Sequence, residues 1–226
     1  TGLMSVDPHT GYIKAWVGGV NYGQFAYDHV TSTRQVGSTF KPFVYAAAIQ
    51  QLGVSPCEEV TDLPRTVFPG EKNFMLLEPW TPANSKGEYT GERMTLKQAL
   101  KQSVNTASVE LMKRLGGTAE VRNLAKKMGI DADKKYPNGQ LRIPDAPSIC
   151  LGSCDLTVLE MAGAYTAFAN NGTFIRPVFV RRIEDKKGRE IFTAKLEEED
   201  ALQPEFNYVM VEMLKHVAGG MGLKSH

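Results

Sequence analysis

The chain has 226 residues, of which 42% are hydrophobic and 23% are charged, so it is long enough to bury a substantial core. Its 26 basic and 25 acidic residues leave a formal net charge of +1, which gives no reason to propose a nucleic acid partner. No run approaches the roughly 18 apolar residues of a membrane-spanning helix.

The first element along the chain is a predicted β-hairpin. Residues 3–7 and 12–17 alternate between apolar and polar side chains, and the run from Pro8 to Gly11 supplies turn residues between them. Residues 25–37 are polar and typical of a loop. We therefore expect an N-terminal hairpin within residues 1–20.

A helix is predicted to follow, and it begins with a Ser-x-x-Lys motif. Ser38 and Lys41 are three residues apart, so on a helix they share one face, and the lysine amine can reach the serine hydroxyl. The apolar run from Phe43 to Ile49 would bury this helix, which we expect to continue to about Leu52. Burial lowers the pKa of a lysine, as a base working near neutral pH requires.

The rest of the chain is mainly helical after a long irregular segment. Residues 54–92 indicate loops and short strands. Helical periodicity predicts helices over residues 95–102, 106–115, 119–128, 157–170 and 204–217. Thr118 is the expected cap of the third of these helices, and Thr157 or Asp155 that of the fourth. Residues 179–184 and 190–194 predict a second hairpin.

A second motif, Ser-x-Asn, lies where one predicted helix ends and the next begins. Ser103 can relay a proton through its hydroxyl, and the Asn105 amide can hold a peptide group of a substrate. Either motif alone is weak support for catalysis, because short motifs often occur by chance.

Taken together, the motifs resemble those of the penicillin-binding proteins, specifically the transpeptidase domain of the bifunctional class A type. The resemblance covers nearly the whole chain, in order and in spacing. It rests on Asp7 to Gly11, Val17 to Gly19, Gln35 to Phe43, Trp80 to Asn84, Tyr89 to Gly91, Thr95 to Leu100, Ser103 to Asn105, Leu151 to Ser153 and Ala164 to Gly172.

The resemblance implies an α/β fold similar to that of the serine β-lactamases and DD-peptidases. In that fold an antiparallel sheet packs with helices and with a helical subdomain. We expect one partial domain over residues 1–226, with a hairpin at 1–20, a helical and loop subdomain at about 38–170, and a C-terminal hairpin and helix at about 173–218.

The resemblance also implies a reaction. Ser38 is the expected nucleophile on the D-Ala-D-Ala end of a peptidoglycan stem peptide, Lys41 the expected base and Ser103 the expected proton relay. Asn105 is expected to bind the substrate backbone, with Trp80 and Asn84 lining the cleft. β-Lactam antibiotics would acylate the same serine, and no cofactor or metal is expected.

One family motif is missing from the sequence. Lys-Thr-Gly or Lys-Ser-Gly, expected on a strand at the other wall of the cleft, occurs nowhere, and the nearest match is Lys224-Ser225-His226. We therefore interpret the chain as a fragment that ends before this motif and lacks the later strands of the sheet. By resemblance, the parent protein would carry an N-terminal glycosyltransferase domain and membrane anchor and would face the periplasm.

Two other functions remain open at this stage. One is a hydrolase of the same superfamily, either a carboxypeptidase or a β-lactamase, although no Glu-x-x-Leu-Asn follows Asn105 as it does in class A β-lactamases. The other is a noncatalytic penicillin-binding or sensor domain.

The cysteines also leave alternatives. Cys57, Cys150 and Cys154 can be buried free thiols, or two of them can form a disulfide. The spacing of the last two also resembles a metal pair, but no histidine or second cysteine pair lies near them in the sequence.

Overall fold

The computed structural model of the protein describes residues 2–21, 23 and 26–220. Helices and short antiparallel strand pairs alternate along the chain, in agreement with the predicted fold class. The strands are β1 Leu3–Val6, β2 Ile13–Val17, β3 Arg34–Gln35, β4 Glu59–Thr61, β5 Arg93–Thr95, β6 Asp155–Leu156, β7 Thr173–Ile175, β8 Arg182–Glu184, β9 Glu190–Thr193 and β10 Glu198–Asp200. The α-helices are α1 Lys41–Leu52, α2 Leu96–Lys101, α3 Asn105–Leu115, α4 Ala119–Lys127, α5 Val158–Ala169 and α6 Pro204–Gly220; 3-10 helices span Gly37–Phe40 and Pro147–Leu151.

Helix α1 lies at the centre of the hydrophobic core. Every side chain from Lys41 to Ile49 is buried, and α3, α4, α6 and the second 3-10 helix pack around it. Lys41 is the one charged residue in this buried run. The core therefore surrounds the lysine of the first motif.

The strands form two-stranded antiparallel pairs. Two of these are hairpins of neighbouring strands, β1 with β2 and β8 with β9, as the alternation predicts. The others join distant parts of the chain: β3 with β6, β4 with β5, and β7 with β10. The β3–β6 pair leads into the first motif, and the β4–β5 pair leads into α2, which ends two residues before Ser103.

The helix starts test the predicted caps. Thr157 forms a capping box with Glu160, which confirms the expected cap of α5. Thr118 precedes α4 but makes no capping hydrogen bond: its φ of −89° and ψ of −13° are already helical rather than extended, and its hydroxyl is directed at Asp145, to which it donates. The expectation that the Thr118 side chain caps α4 is therefore wrong.

The predicted start of the first helix also needs a correction. Ser38 lies in the 3-10 helix Gly37–Phe40, and regular α-helix begins only at Lys41. Ser38 therefore lies in a tighter helical turn than Lys41, which begins the regular α-helix.

The three cysteines are free thiols. Cys150 and Cys154 are buried, as one of the sequence interpretations expects, whereas Cys57 is exposed. Within the part of the chain that the structure describes, three or more histidine, cysteine or acidic side chains nowhere come together as a metal site would need. None of the described helices is both long enough and apolar enough to cross a bilayer.

Candidate active site

Ser38 projects from a turn that is anchored from both sides. Before it, β3 pairs with β6, and the backbone amides of Val36 and Gly37 donate to the carbonyls of Cys154 at 3.0 Å and Gly152 at 3.1 Å. After it, the buried helix α1 continues the chain. Ser38 itself is exposed, and within the described residues its hydroxyl makes no hydrogen bond, which leaves it free for a substrate.

A close backbone approach fixes the position of this turn. Gly152 has a φ of +75°, and a Cβ at this position would lie 1.9 Å from the carbonyl oxygen of Gly37. No side chain fits at that distance. The Leu151 to Ser153 part of the family resemblance therefore has a physical reason, since only glycine lets the two segments meet.

Lys41 is buried and makes three hydrogen bonds. Its Nζ donates to Ser103 O at 2.6 Å, to Ser103 Oγ at 3.0 Å and to Asn105 Oδ1 at 2.8 Å, and the residue is 1% exposed. The three partners account for all three N–H groups of an ammonium. The structure thus brings Lys41, Ser103 and Asn105 together, but among the described residues no hydrogen bond joins Lys41 to the Ser38 hydroxyl, which the spacing had placed within its reach.

The surroundings of Lys41 favour its neutral form. Burial lowers the pKa of Lys41 from its ordinary value of 10.5 to about 8, and the neighbouring Cys150 partly opposes this shift. Burial also raises the pKa of the Cys150 thiol to about 12. The thiol therefore stays protonated at neutral pH and places no negative charge beside the lysine there.

Ser103 has an unusual backbone conformation. Its φ of +56° lies in the left-handed region, which residues other than glycine seldom adopt. This conformation turns both the carbonyl oxygen and the hydroxyl of Ser103 toward Lys41 Nζ. Strain of this kind persists only where the surrounding structure holds it, and it is frequent at functional sites.

Asn105 is the first residue of α3, and its side chain is engaged at both ends. Its Oδ1 accepts from Lys41, and its Nδ2 donates to Ala83 O at 2.7 Å. Its backbone N–H donates to Asn84 Oδ1 at 3.0 Å. The structure therefore joins the Ser-x-Asn motif to the loop that contains Asn84.

The other two sequence-predicted site residues differ in their placement. Asn84 contacts Asn105 directly, as described above. Trp80 pairs through its backbone with Val67, and its side chain packs against the hydrophobic core. Among the described residues Trp80 makes no side-chain hydrogen bond, and its role in binding substrate stays a prediction.

Sequence reasoning missed Asp62, which lies just after β4. Its carboxylate accepts from Asn84 and from Thr106, the second residue of α3. Asp62 and Thr106 are 44 positions apart in the sequence, so no local spacing pattern could have linked them. Glu58 and Glu59 lie just before Asp62, so the local sequence does not single out Asp62 among these acids.

Two cavities lie near these elements. One of about 320 Å³ is lined by Ser103, Gln102, Asn84, Asp62 and neighbouring residues of the 85–94 segment. A larger one of about 470 Å³ lies beside Arg142 and contains none of the four motif residues. The smaller cavity is the one that adjoins the predicted chemistry.

Comparison of the sequence with known proteins gives a consistent picture. The family model "Penicillin binding protein transpeptidase domain" matches residues 1–223. Penicillin-binding protein 1A of Aquifex aeolicus is 33% identical over 216 residues, which cover 95% of this chain and 27% of that protein. Penicillin-binding protein 1A of Vibrio cholerae is 32% identical over 196 residues, which cover 86% of this chain and 22% of that protein. The chain thus spans about a quarter of the length of these curated relatives.

Solved structures agree with the sequence comparison. Penicillin-binding protein 1A from Haemophilus influenzae has a TM-score of 0.79 at 25% identity, over 99% of this chain and 36% of that one. The PonA1 protein from Mycobacterium tuberculosis, in complex with penicillin V, has a TM-score of 0.79 at 27% identity, over 97% of this chain and 56% of that one. The chain belongs to the family of penicillin-binding protein transpeptidase domains.

Proposed function

We propose that this chain supplies the nucleophile, base and proton relay of a peptidoglycan D,D-transpeptidase. The observation that carries the proposal is that buried Lys41 donates to both Ser103 and Asn105. Lys41 also follows the exposed Ser38 by three residues in the sequence. Ser38 Oγ would attack the carbonyl carbon of the penultimate D-alanine and form an ester. The C–N bond to the terminal D-alanine would break, and an amine of a neighbouring stem peptide would later displace Ser38.

The proton transfers follow from the partners of Lys41. A neutral amine keeps two N–H donors and gains a lone pair, so one of its three present contacts must change. Ser103 Oγ is the only one of the three acceptors that carries a proton of its own. Neutral Lys41 can therefore donate to Ser103 O and Asn105 Oδ1, accept the proton of Ser38, and return it through Ser103 to the departing amine.

The neighbouring amides have a separate role in the proposal. Asn105 would hydrogen-bond the substrate backbone by exchanging a present contact for a substrate group, and Asn84 would support it from the cleft wall. Trp80 would shape the outer part of the same wall. These assignments rest on the family resemblance and on the contact between Asn84 and Asn105.

Acylation also needs an oxyanion hole with two donors, and losing one donor typically costs about 100-fold to 1000-fold in rate. The Ser38 amide would supply the first donor. We propose that the second comes from the strand that follows a Lys-Thr-Gly or Lys-Ser-Gly motif, which these 226 residues lack. The 226-residue chain alone is therefore expected to react with penicillin far more slowly than the full-length gene product.

The wider context is part of the same proposal. The relatives named penicillin-binding protein 1A are much longer than this chain, which supports a parent protein with additional domains. We infer an N-terminal glycosyltransferase domain and membrane anchor, and a location on the periplasmic side of the cytoplasmic membrane. Stem peptides and β-lactam antibiotics are the proposed ligands, the latter by analogy with the relative in complex with penicillin V.

The test is the intact mass of the full-length gene product after treatment with penicillin, followed by peptide mapping. We expect one adduct on Ser38 that the Ser38→Ala variant lacks. Ser5→Ala is the matched control, because Ser5 is an exposed serine on β1 and its loss should leave labelling unchanged. Labelling of another residue, or no labelling, would contradict the proposal.

A second assay separates transfer from hydrolysis. A D-Ala-D-Ala peptide is incubated with the protein with and without an acceptor amine. Transpeptidation predicts a cross-linked product that depends on the acceptor. Release of D-alanine with water as the only acceptor would indicate a carboxypeptidase, and acylation by penicillin without peptide turnover would indicate a sensor.

A further inference from the structure

The N-terminus of α3 lacks a cap of its own. Val104 precedes the helix, and its apolar side chain makes no capping hydrogen bond. The first backbone N–H groups of a helix need acceptors from elsewhere. Asn84 Oδ1 accepts from the backbone N–H of Asn105 at 3.0 Å. A distant loop therefore supplies the acceptor that Val104 lacks.

The Asn84 amide is itself held in one orientation. Its Nδ2 donates to Asp62 Oδ1 at 2.8 Å, to Asp62 Oδ2 at 3.0 Å and to Glu88 O at 3.1 Å. Because these contacts fix the nitrogen, the oxygen of the same amide must point to Asn105. Asp62 therefore sets the direction of the acceptor at the start of α3.

Asp62 also holds the next residue of the helix directly. Its Oδ1 accepts from Thr106 Oγ1 at 2.6 Å, and its Oδ2 accepts from the backbone N–H and hydroxyl of Thr90 at 2.9 and 3.0 Å. Asp62 and Thr106 are each 2% exposed. The carboxylate thus binds two successive residues of α3: Thr106 by a direct hydrogen bond, and Asn105 through Asn84.

The charge of Asp62 suits this position. Burial opposes ionisation, but the hydrogen bonds from Thr106, Thr90 and Asn84 outweigh it and hold the pKa of Asp62 below its ordinary value. Among the described residues Asp62 has no salt-bridge partner, so neutral donors and the positive end of α3 stabilise the carboxylate. Burying an ionised carboxylate beside the motif costs free energy of folding unless neighbouring donors form hydrogen bonds to it.

We propose that Asp62 is a positioning residue for acylation, holding Asn105 through Asn84 and Thr106, and thereby the Lys41 amine through Asn105 Oδ1. The inference deepens the proposed function and rests on it. Asp62 does not touch the reacting atoms. It acts by keeping the acceptor of one Lys41 N–H in place, so that the lysine lone pair faces the serines.

The test uses Asp62→Asn in the full-length gene product. An asparagine has nearly the same shape, but its amide nitrogen faces the donors of Asn84 or Thr90 and breaks part of the chain of contacts. We expect the first-order acylation rate constant to fall about 100-fold, the effect that a small misplacement of catalytic groups can have. We also expect the pH of half-maximal acylation to move down, because Lys41 loses a firmly held acceptor for its charged form.

The measurement is acylation by a chromogenic β-lactam as a function of pH, with the amplitude giving the fraction of active protein. Glu78→Gln is the matched control, since Glu78 is an exposed acid of the same irregular segment. Thr106→Val provides a second, milder variant that removes one contact of Asp62 and should slow acylation in the same direction.

The outcomes separate the two hypotheses. A lower amplitude with an unchanged rate constant and pH midpoint would show that Asp62 only stabilises the fold, and would overturn the inference. If Asp62→Asn fails to fold, the acylation rate constant and the pH midpoint of Thr106→Val distinguish a positioning role from a purely structural one. If the unaltered protein is not labelled on Ser38 at all, the proposed function fails first and this inference fails with it.

Discussion

At the scale of single residues, Lys41 shows how burial can make a lysine suitable as a base. Burial removes water from the amine and lowers its pKa, and the neighbouring Cys150 only partly opposes this shift. The balance leaves the pKa at about 8, so roughly a tenth of the lysine is neutral at pH 7. A base of this kind needs no change of fold to become active near neutral pH.

The first prediction concerns the pH dependence of acylation. Because neutral Lys41 is the proposed base, the acylation rate constant should rise with pH through about 8 and then level off. Lys41→Met should lower it by about 100-fold to 10,000-fold. Stopped-flow acylation by a chromogenic β-lactam measures both, with Lys127→Met, an exposed lysine of α4, as control. A profile that is flat or centred near 10.5 would refute Lys41 as the base.

The second prediction concerns stability and the same lysine. The unfolded chain binds a proton at Lys41 up to a pH of about 10.5, but the folded chain releases it at about 8. Between these values the unfolded state holds more protons, so the contribution of Lys41 to stability rises with pH. Relative to Lys41→Met, the unaltered protein should gain up to about 3 kcal/mol between pH 8 and 10.5. Urea unfolding at several pH values measures it, and a difference that falls with pH would contradict the linkage.

At the scale of elements, the nucleophile depends on a contact between two turns. The 3-10 helix that carries Ser38 meets the end of the 3-10 helix Pro147–Leu151, and Gly37 N–H donates to Gly152 O. The Ser-x-x-Lys spacing predicted the lysine helix because that signal is local. The 3-10 geometry of Ser38 was missed because it follows from β3 pairing with β6, more than 100 positions along the chain.

The third prediction tests this contact. Gly152→Ala would place a Cβ 1.9 Å from Gly37 O, so the turn with Ser38 must shift. We expect a loss of more than about 2 kcal/mol of stability and acylation slowed at least about tenfold in the protein that still folds. Gly139→Ala is the matched control. Gly139 has a φ of +82° but nothing within 4 Å of its Cβ position, so it carries the backbone penalty alone. Equal effects of the two variants would show that the close approach is unimportant.

At the scale of the whole molecule, features that arise from neighbouring residues could be predicted from the sequence, whereas contacts between distant segments could not. The capping box of Thr157, the first hairpin and the Ser-x-Asn motif all arise within a few neighbouring residues, and each was predictable. Asp62 is linked to Asn105 through Asn84, and Gly37 contacts Gly152. Both contacts join distant segments, so the spacing of apolar residues in the sequence could not predict them. The Thr118 side chain failed as a predicted cap because its backbone is already helical and its hydroxyl is directed at a distant partner, Asp145.

One buried network ties several of these distant segments together. The Arg142 guanidinium, 4% exposed, donates to both carboxylate oxygens of Glu160 at 3.0 and 2.8 Å and to Asp155 O on β6. Glu160 also accepts from the backbone N–H of Thr157 in the capping box of α5. The ion pair therefore connects the long 129–154 segment to α5 and, through the β6–β3 pair, to the turn of Ser38.

The fourth prediction follows from this network. Burial raises the pKa of Glu160, but hydrogen bonds from Arg142 and Thr157 outweigh it and hold the pKa below its ordinary value of 4.5. Its contribution to stability should therefore be complete above about pH 4.5 and decline as pH falls through the lowered value. Glu160→Gln leaves Arg142 buried without a counter-charge and should cost about 3 kcal/mol at pH 7.

Denaturant unfolding between pH 3 and 7 measures this cost, with Glu212→Gln as control. Glu212 forms an exposed ion pair with Lys215 on α6, so its neutralisation should leave stability essentially unchanged. The difference between the unaltered protein and Glu160→Gln should shrink at the acid end of the range, where protonated Glu160 also leaves Arg142 unpaired. A cost that stays constant down to pH 3, or that matches the exposed control, would mean that the buried pair does not hold the 129–154 segment to α5.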